Sequence, residues 1–136
     1  MVLDGLSQDH NELIGFVVSC LFASAITLAE MRAWTLHMIE KHEVDDLPLY
    51  MFDLVDFDDP LYKIGQVIGF VCGWKHTRAE DLALEGIAIA RGFEPYETAA
   101  PHTVLLKRLK EHPQVLQKFK DVFPFIDLAG VEKKFF

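Results

Sequence analysis

Between Glu43 and Pro60 the chain reads EVDDLPLYMFDLVDFDDP, a run in which large apolar side chains are bracketed by carboxylates and by two prolines. No other stretch restricts the fold as strongly. Pro48 lacks an N–H and so suits the first turn of a helix, where that donor would have no partner. Asp45 or Asp46 stands where a cap is needed. Leu47, Leu49, Tyr50, Met51, Phe52, Leu54, Val55 and Phe57 show no period-2 alternation with polar residues, which a half-buried strand would require. The run therefore predicts a short buried helix over Leu47 to Leu54, held between two acidic edges. Asp58-Asp59-Pro60 repeats the carboxylate-then-proline device for the next helix.

The same punctuation divides the rest of the chain. Ser7 and Asp9 offer caps for a first helix reaching about Phe22, with Leu13, Phe16, Val17 and Cys20 on one face. Thr27-Leu28-Ala29-Glu30 fits a capping box, predicting a helix to about His42 that buries Leu28, Met31, Trp34, Thr35 and Met38 and leaves Arg32, His37, Glu40 and Lys41 to water. After Pro60 a helix is expected through Leu61, Ile64, Val67, Ile68 and Val71 to Gly73. In it Gly65 and Gly69 would thin one side for close approach of another helix or for a homodimer contact. Thr77-Arg78-Ala79-Glu80 is a second capping box, and its helix should stop at Gly92. A loop from Phe93 to Ala100 follows, then helices from Pro101 and from Pro113, the last ended by Pro124. The tail to Phe136 either docks or frays. No repeat, low-complexity tract or linker interrupts the 136 residues, so the expectation is one all-α domain, residues 1–136, a bundle of six or seven helices.

Composition narrows function chiefly through charge. Residues 1–60 hold twelve Asp or Glu against Arg32 and Lys41 alone, whereas residues 61–136 hold nine acidic and eleven basic residues. An acidic first half repels phosphate, so nucleic acid is not an expected partner, and a macromolecular partner should be basic. With 51% hydrophobic residues and eleven Phe, the chain has ample material for a core. Cys20 and Cys72 lie far apart in apolar runs, as buried free thiols in a reducing, cytoplasmic compartment would. Leu13 to Ala29 carries no charge over seventeen residues. It is nonetheless shorter than the roughly 20 apolar residues that span a bilayer and includes Ser19, Ser24 and Thr27, so two core helices meeting at a turn are expected instead of a membrane segment. Asp4, Asp9 and Glu12 ahead of it are opposite in sign to a signal peptide's basic start.

Motifs with their own chemistry are scarce. No nucleophile elbow, phosphate loop or dinucleotide fingerprint occurs, so no catalytic residue and no cofactor is assigned. Asp53, Asp56, Asp58 and Asp59 have the grouping of hard-cation ligands, but they lack the glycine and terminal glutamate of a calcium loop, and no metal is assigned. His37 and His42 are five apart and miss the i, i+4 spacing of a zinc helix. Cys72, between Gly69 and Gly73, superficially suggests a nucleophile, yet a thiol buried in an apolar helix would have a raised pKa and a packing role. Lys107, Arg108 and Lys110, with Lys118 and Lys120, form a small basic face, either solvated or set against acidic surface.

Glu30-Met31-Arg32-Ala33-Trp34, then Ile39-Glu40, then Leu47-Pro48-Leu49-Tyr50-Met51-Phe52-Asp53-Leu54 resembles small helical immunity proteins of bacteria. Those proteins accompany polymorphic toxins, including contact-dependent growth inhibition systems. The resemblance implies a toxin inhibitor without chemistry of its own, which binds a cognate toxin, a nuclease by expectation, in the cytoplasm. Nucleases present positive charge to phosphate, so an acidic face would compete for the same field. The expected toxin-binding residues are Asp45, Asp46, Asp53, Asp56, Asp58 and Asp59, with Glu43 as rim and Tyr50 as central anchor. Two alternatives stand beside this: a helical metal-dependent hydrolase using the Asp53 to Asp59 carboxylates, and a non-enzymatic ligand- or effector-binding domain.

Overall fold

Thr27 and Thr77 begin helices in the same way, each hydroxyl accepting from the backbone N–H three residues on while that residue's glutamate accepts from the threonine N–H. A computed structural model describes residues 3–95, 98 and 100–135, the last as backbone only. Tyr96, Glu97 and Ala99 of the loop expected from Phe93 to Ala100, and Phe136 of the tail, lie outside the described residues. Among the described residues every regular element is helical. There are eight α-helices: α1 Glu12–Phe22, α2 Leu28–Lys41, α3 Tyr50–Leu54, α4 Ile64–Ile68, α5 Arg78–Ala90, α6 His102–Glu111, α7 Pro113–Val122 and α8 Ala129–Phe135. Two 3-10 turns, Val44–Asp46 and Leu61–Lys63, precede α3 and α4. The helix beyond the six or seven expected is α8, formed by the tail with Leu128 and Val131 buried. No helix among the described residues is long and apolar enough to cross a membrane. The uncharged run from Leu13 is instead two helices parted by a turn, in which Ser24 takes a left-handed backbone, φ 64°.

The chain divides into two units. The first takes residues through Leu21 and Thr27–Lys75. Its α1 is buried through Ile14, Phe16, Val17 and Cys20. It lies against an irregular segment at 70–75, whose first part, to Gly73, the sequence suggested would be helical. Gly69 explains the difference, since its φ of 91° ends α4 in a left-handed cap that only glycine adopts without strain. Gly15 lets the segment pass, because a Cβ there would sit 2.3 Å from the Gly73 carbonyl oxygen. Beside it the Phe16 and Trp74 rings meet edge to face at 4.9 Å. Gly73 N–H donates to Asn11 Oδ1 and Lys75 N–H to Glu12 Oε1, each across 3.2 Å, which ties the segment to the start of α1. Gly65 and Gly69 face open space, so neither serves as a close-approach surface within this unit.

The second unit takes Phe22–Ile26 and residues from His76 onward. Here α5 packs against α6 and α7. Gly86 is what permits that closeness, since a Cβ there would come 2.4 Å from the Leu105 carbonyl oxygen. Leu84, Ile87, Leu105, Leu109, Phe119 and Phe123 are fully buried in this unit. Lys120 on α7 pairs with Glu132 on α8, while the burial of Leu128 and Val131 docks the tail. Arg91 follows α5, stacks its guanidinium over the Phe93 ring and donates to the Ala25 carbonyl oxygen at 2.7 Å.

Candidate functional site

The carboxylates of residues 43–59 stand on an apolar base. Leu47, Tyr50, Met51, Leu54 and Phe57 point inward, each at most 7% exposed. Glu43, Asp45, Asp53, Asp56, Asp58 and Asp59 are exposed, and Asp46 is half-buried. No Lys or Arg interrupts them in sequence. The first unit holds twelve acidic and four basic residues, the second nine of each, so the whole net charge of −8 belongs to the unit that carries this stretch.

Backbone bonds fix the stretch in place. Asp46 N–H donates to Glu43 carbonyl oxygen at 3.0 Å and Leu47 N–H to that of Val44 at 3.2 Å, which closes the 3-10 turn. The Asp46 carbonyl oxygen accepts from Leu3 N–H at 2.7 Å, anchoring the turn to the chain's beginning. At the far end Phe57 N–H donates to Leu54 carbonyl oxygen at 3.1 Å. Arg32 on α2 donates to the Phe57 carbonyl oxygen at 2.8 Å and lies 3.7 Å from the Asp58 carboxylate.

Neither Asp45 nor Asp46 caps α3, which begins after Leu49 without a side-chain cap bond. Asp58 and Asp59 do not cap the following turn either, which starts after Pro60 uncapped. Their carboxylates face outward instead. Arg32 is not simply solvated, since its guanidinium holds the Phe57 carbonyl. Tyr50, expected as the surface anchor, is 7% exposed and its hydroxyl donates to the Leu6 carbonyl oxygen at 2.5 Å. Burial pushes its ionisation well above the ordinary tyrosine range, and Cys72 pushes the same way. Tyr50 is thus part of the floor under the face. The side chain that stands out is its neighbour Leu49, 84% exposed. In sequence Leu49 belongs to the apolar run expected to be buried, although its spacing of four and seven from Asp53 and Asp56 signals an outward stripe.

Elsewhere, Cys72 is half-buried in the irregular segment rather than in a helix, and burial raises its thiol pKa. His37 lies on α2 and His42 caps its C-terminus. Among the described residues no three His, Cys, Asp or Glu side chains are grouped so as to hold a metal ion. No protein-family model, curated protein or solved structure matches this chain.

Proposed function

We propose that this chain is an immunity protein, which binds a basic protein toxin in the cytoplasm and neutralises it through the face formed by Glu43, Asp45, Asp46, Asp53, Asp56, Asp58 and Asp59. One observation carries the reading: six exposed carboxylates and the half-buried Asp46, with no Lys or Arg among them in sequence, alternate with apolar side chains that are buried beneath. Fixed charges of one sign raise the encounter rate with an oppositely charged partner, and a rigid floor keeps them from collapsing onto it. A nuclease fits the partner's description, because its substrate groove must be basic. The inhibitor needs no catalytic group in this reading. It works by covering the toxin.

The test is co-expression with a toxin encoded directly upstream. The pair should co-purify with an affinity that falls steeply between low and physiological salt. Replacing the seven carboxylates by Asn or Gln should abolish protection of cells against the toxin. Association that is indifferent to salt, or undiminished protection by the neutralised variant, would sink the acidic-face reading.

A further inference from the structure

We infer that the outward face of α3 docks a basic, amphipathic helix of the partner, with Leu49 as the apolar anchor and Asp53 and Asp56 as the charges that follow it along the stripe. This rests on the reading of the acidic face as the partner-binding surface and names the contact within it. Helical backbone extends beyond α3 at both ends, from Leu49 (φ −59°, ψ −32°) to Val55 (φ −61°, ψ −24°). At roughly 100° per residue, Leu49, Asp53 and Asp56 share an arc of about 60°, while Tyr50, Met51 and Leu54 occupy the opposite side. Burial follows that division, with Leu49, Asp53 and Asp56 exposed and Tyr50, Met51 and Leu54 buried. Phe52, half-buried, sits at the edge of the outward arc.

An 84% exposed leucine with two carboxylates following it on the same stripe selects its occupant by charge complementarity. Nucleic acid and anionic lipid are repelled by the aspartates. A second copy meeting this stripe face to face would bring like charges together, because a two-fold contact pairs a surface with itself. What satisfies both features is a helix carrying apolar residues at i, i+4 and i+7 with Lys or Arg on either side, whose cations meet Asp53 and Asp56 while its apolar stripe covers Leu49 and the edge of Phe52.

Two synthetic peptides of equal charge distinguish this from a purely electrostatic contact: one with lysines flanking a leucine stripe, the other with those leucines replaced by alanine. Fluorescence anisotropy against the full chain should show the leucine peptide binding about tenfold or more tightly than the alanine peptide. Leu49→Ser should remove that preference. Leu36→Ser, at another exposed leucine on α2, should leave it intact. Asp53→Asn with Asp56→Asn should weaken both peptides and flatten the salt dependence. Equal, salt-dependent binding of the two peptides overturns the amphipathic contact and leaves the acidic-face reading standing. A preference that survives Leu49→Ser, or is lost equally in Leu36→Ser, overturns the assignment to this stripe. Binding of neither peptide at low salt overturns both.

Discussion

Arg32 reaches across 25 residues of sequence to donate from Nη1 to the carbonyl oxygen of Phe57, at 2.8 Å. The bond is partly buried and its donor is charged, which makes it a stronger tie than the Arg32 to Asp58 ion pair, whose carboxylate is 89% exposed. Through it α2 holds the turn that presents Asp56, Asp58 and Asp59.

Arg32→Ala should therefore lower the unfolding free energy by about 1–2 kcal/mol, and Arg32→Lys should recover only part of that. Urea denaturation checks the first figure. Asp58→Asn should leave the midpoint almost unchanged, because the exposed pair contributes little.

Tyr50→Phe removes the hydroxyl that satisfies the Leu6 carbonyl and should cost about 1–2 kcal/mol. The raised folded pKa also has a consequence at high pH. Below the ordinary tyrosine value of about 10 both states are protonated; above it the unfolded chain loses the proton while the buried phenol keeps it, so stability falls with rising pH. Tyr50→Phe should flatten that alkaline decline, as followed by chemical denaturation from pH 8 to 11.

Glu80 is held below the ordinary carboxylate range, chiefly by the Thr77 backbone N–H, against a smaller opposing effect of burial and with help from Gln114, the Thr77 hydroxyl and His112. A depressed folded pKa stabilises above the unfolded value of about 4.3, and the gain disappears as pH falls through the folded value. Wild type should therefore exceed Glu80→Gln in stability at pH 7, and the gap should close at pH 3. Thr77→Ala should cost about 1 kcal/mol at neutral pH through loss of the cap itself.

Glycines at two helical sites should respond in opposite directions to alanine. Gly65→Ala meets no atom within 4 Å and should stabilise by about 0.5–1 kcal/mol. Gly86→Ala drives a Cβ toward the Leu105 backbone and should destabilise by about 1–3 kcal/mol despite its better helix propensity. Thermal melts of the two variants measure both.

Local chemistry was legible and distant chemistry was not. The boxes at Thr27 and Thr77, the start at Pro113 and the left-handed stop at Gly92 lie within a few residues of what they control, and sequence spacing places them correctly. The all-helical class followed from them. The segment around Cys72 was misread because its apolar composition suits a helix, while Gly69 had already ended α4 and the surface that orders the segment, Gly15 and Phe16, lies more than 50 residues earlier in sequence. The carboxylates read as caps at Asp45, Asp46, Asp58 and Asp59 satisfy no helix start. Tyr50 and Leu49 exchanged their expected places because adjacent residues on a helix point about 100° apart, and composition alone does not say which of the two turns inward.

The second unit borrows Phe22–Ile26 from the early chain, and Arg91 grips Ala25 within it. A gene fragment starting at His76 would encode a body missing one of its own pieces, so deletion mapping by cutting there would damage what it sets out to isolate. On the ribosome those five residues emerge some fifty positions ahead of the helices they complete, and they must wait for them.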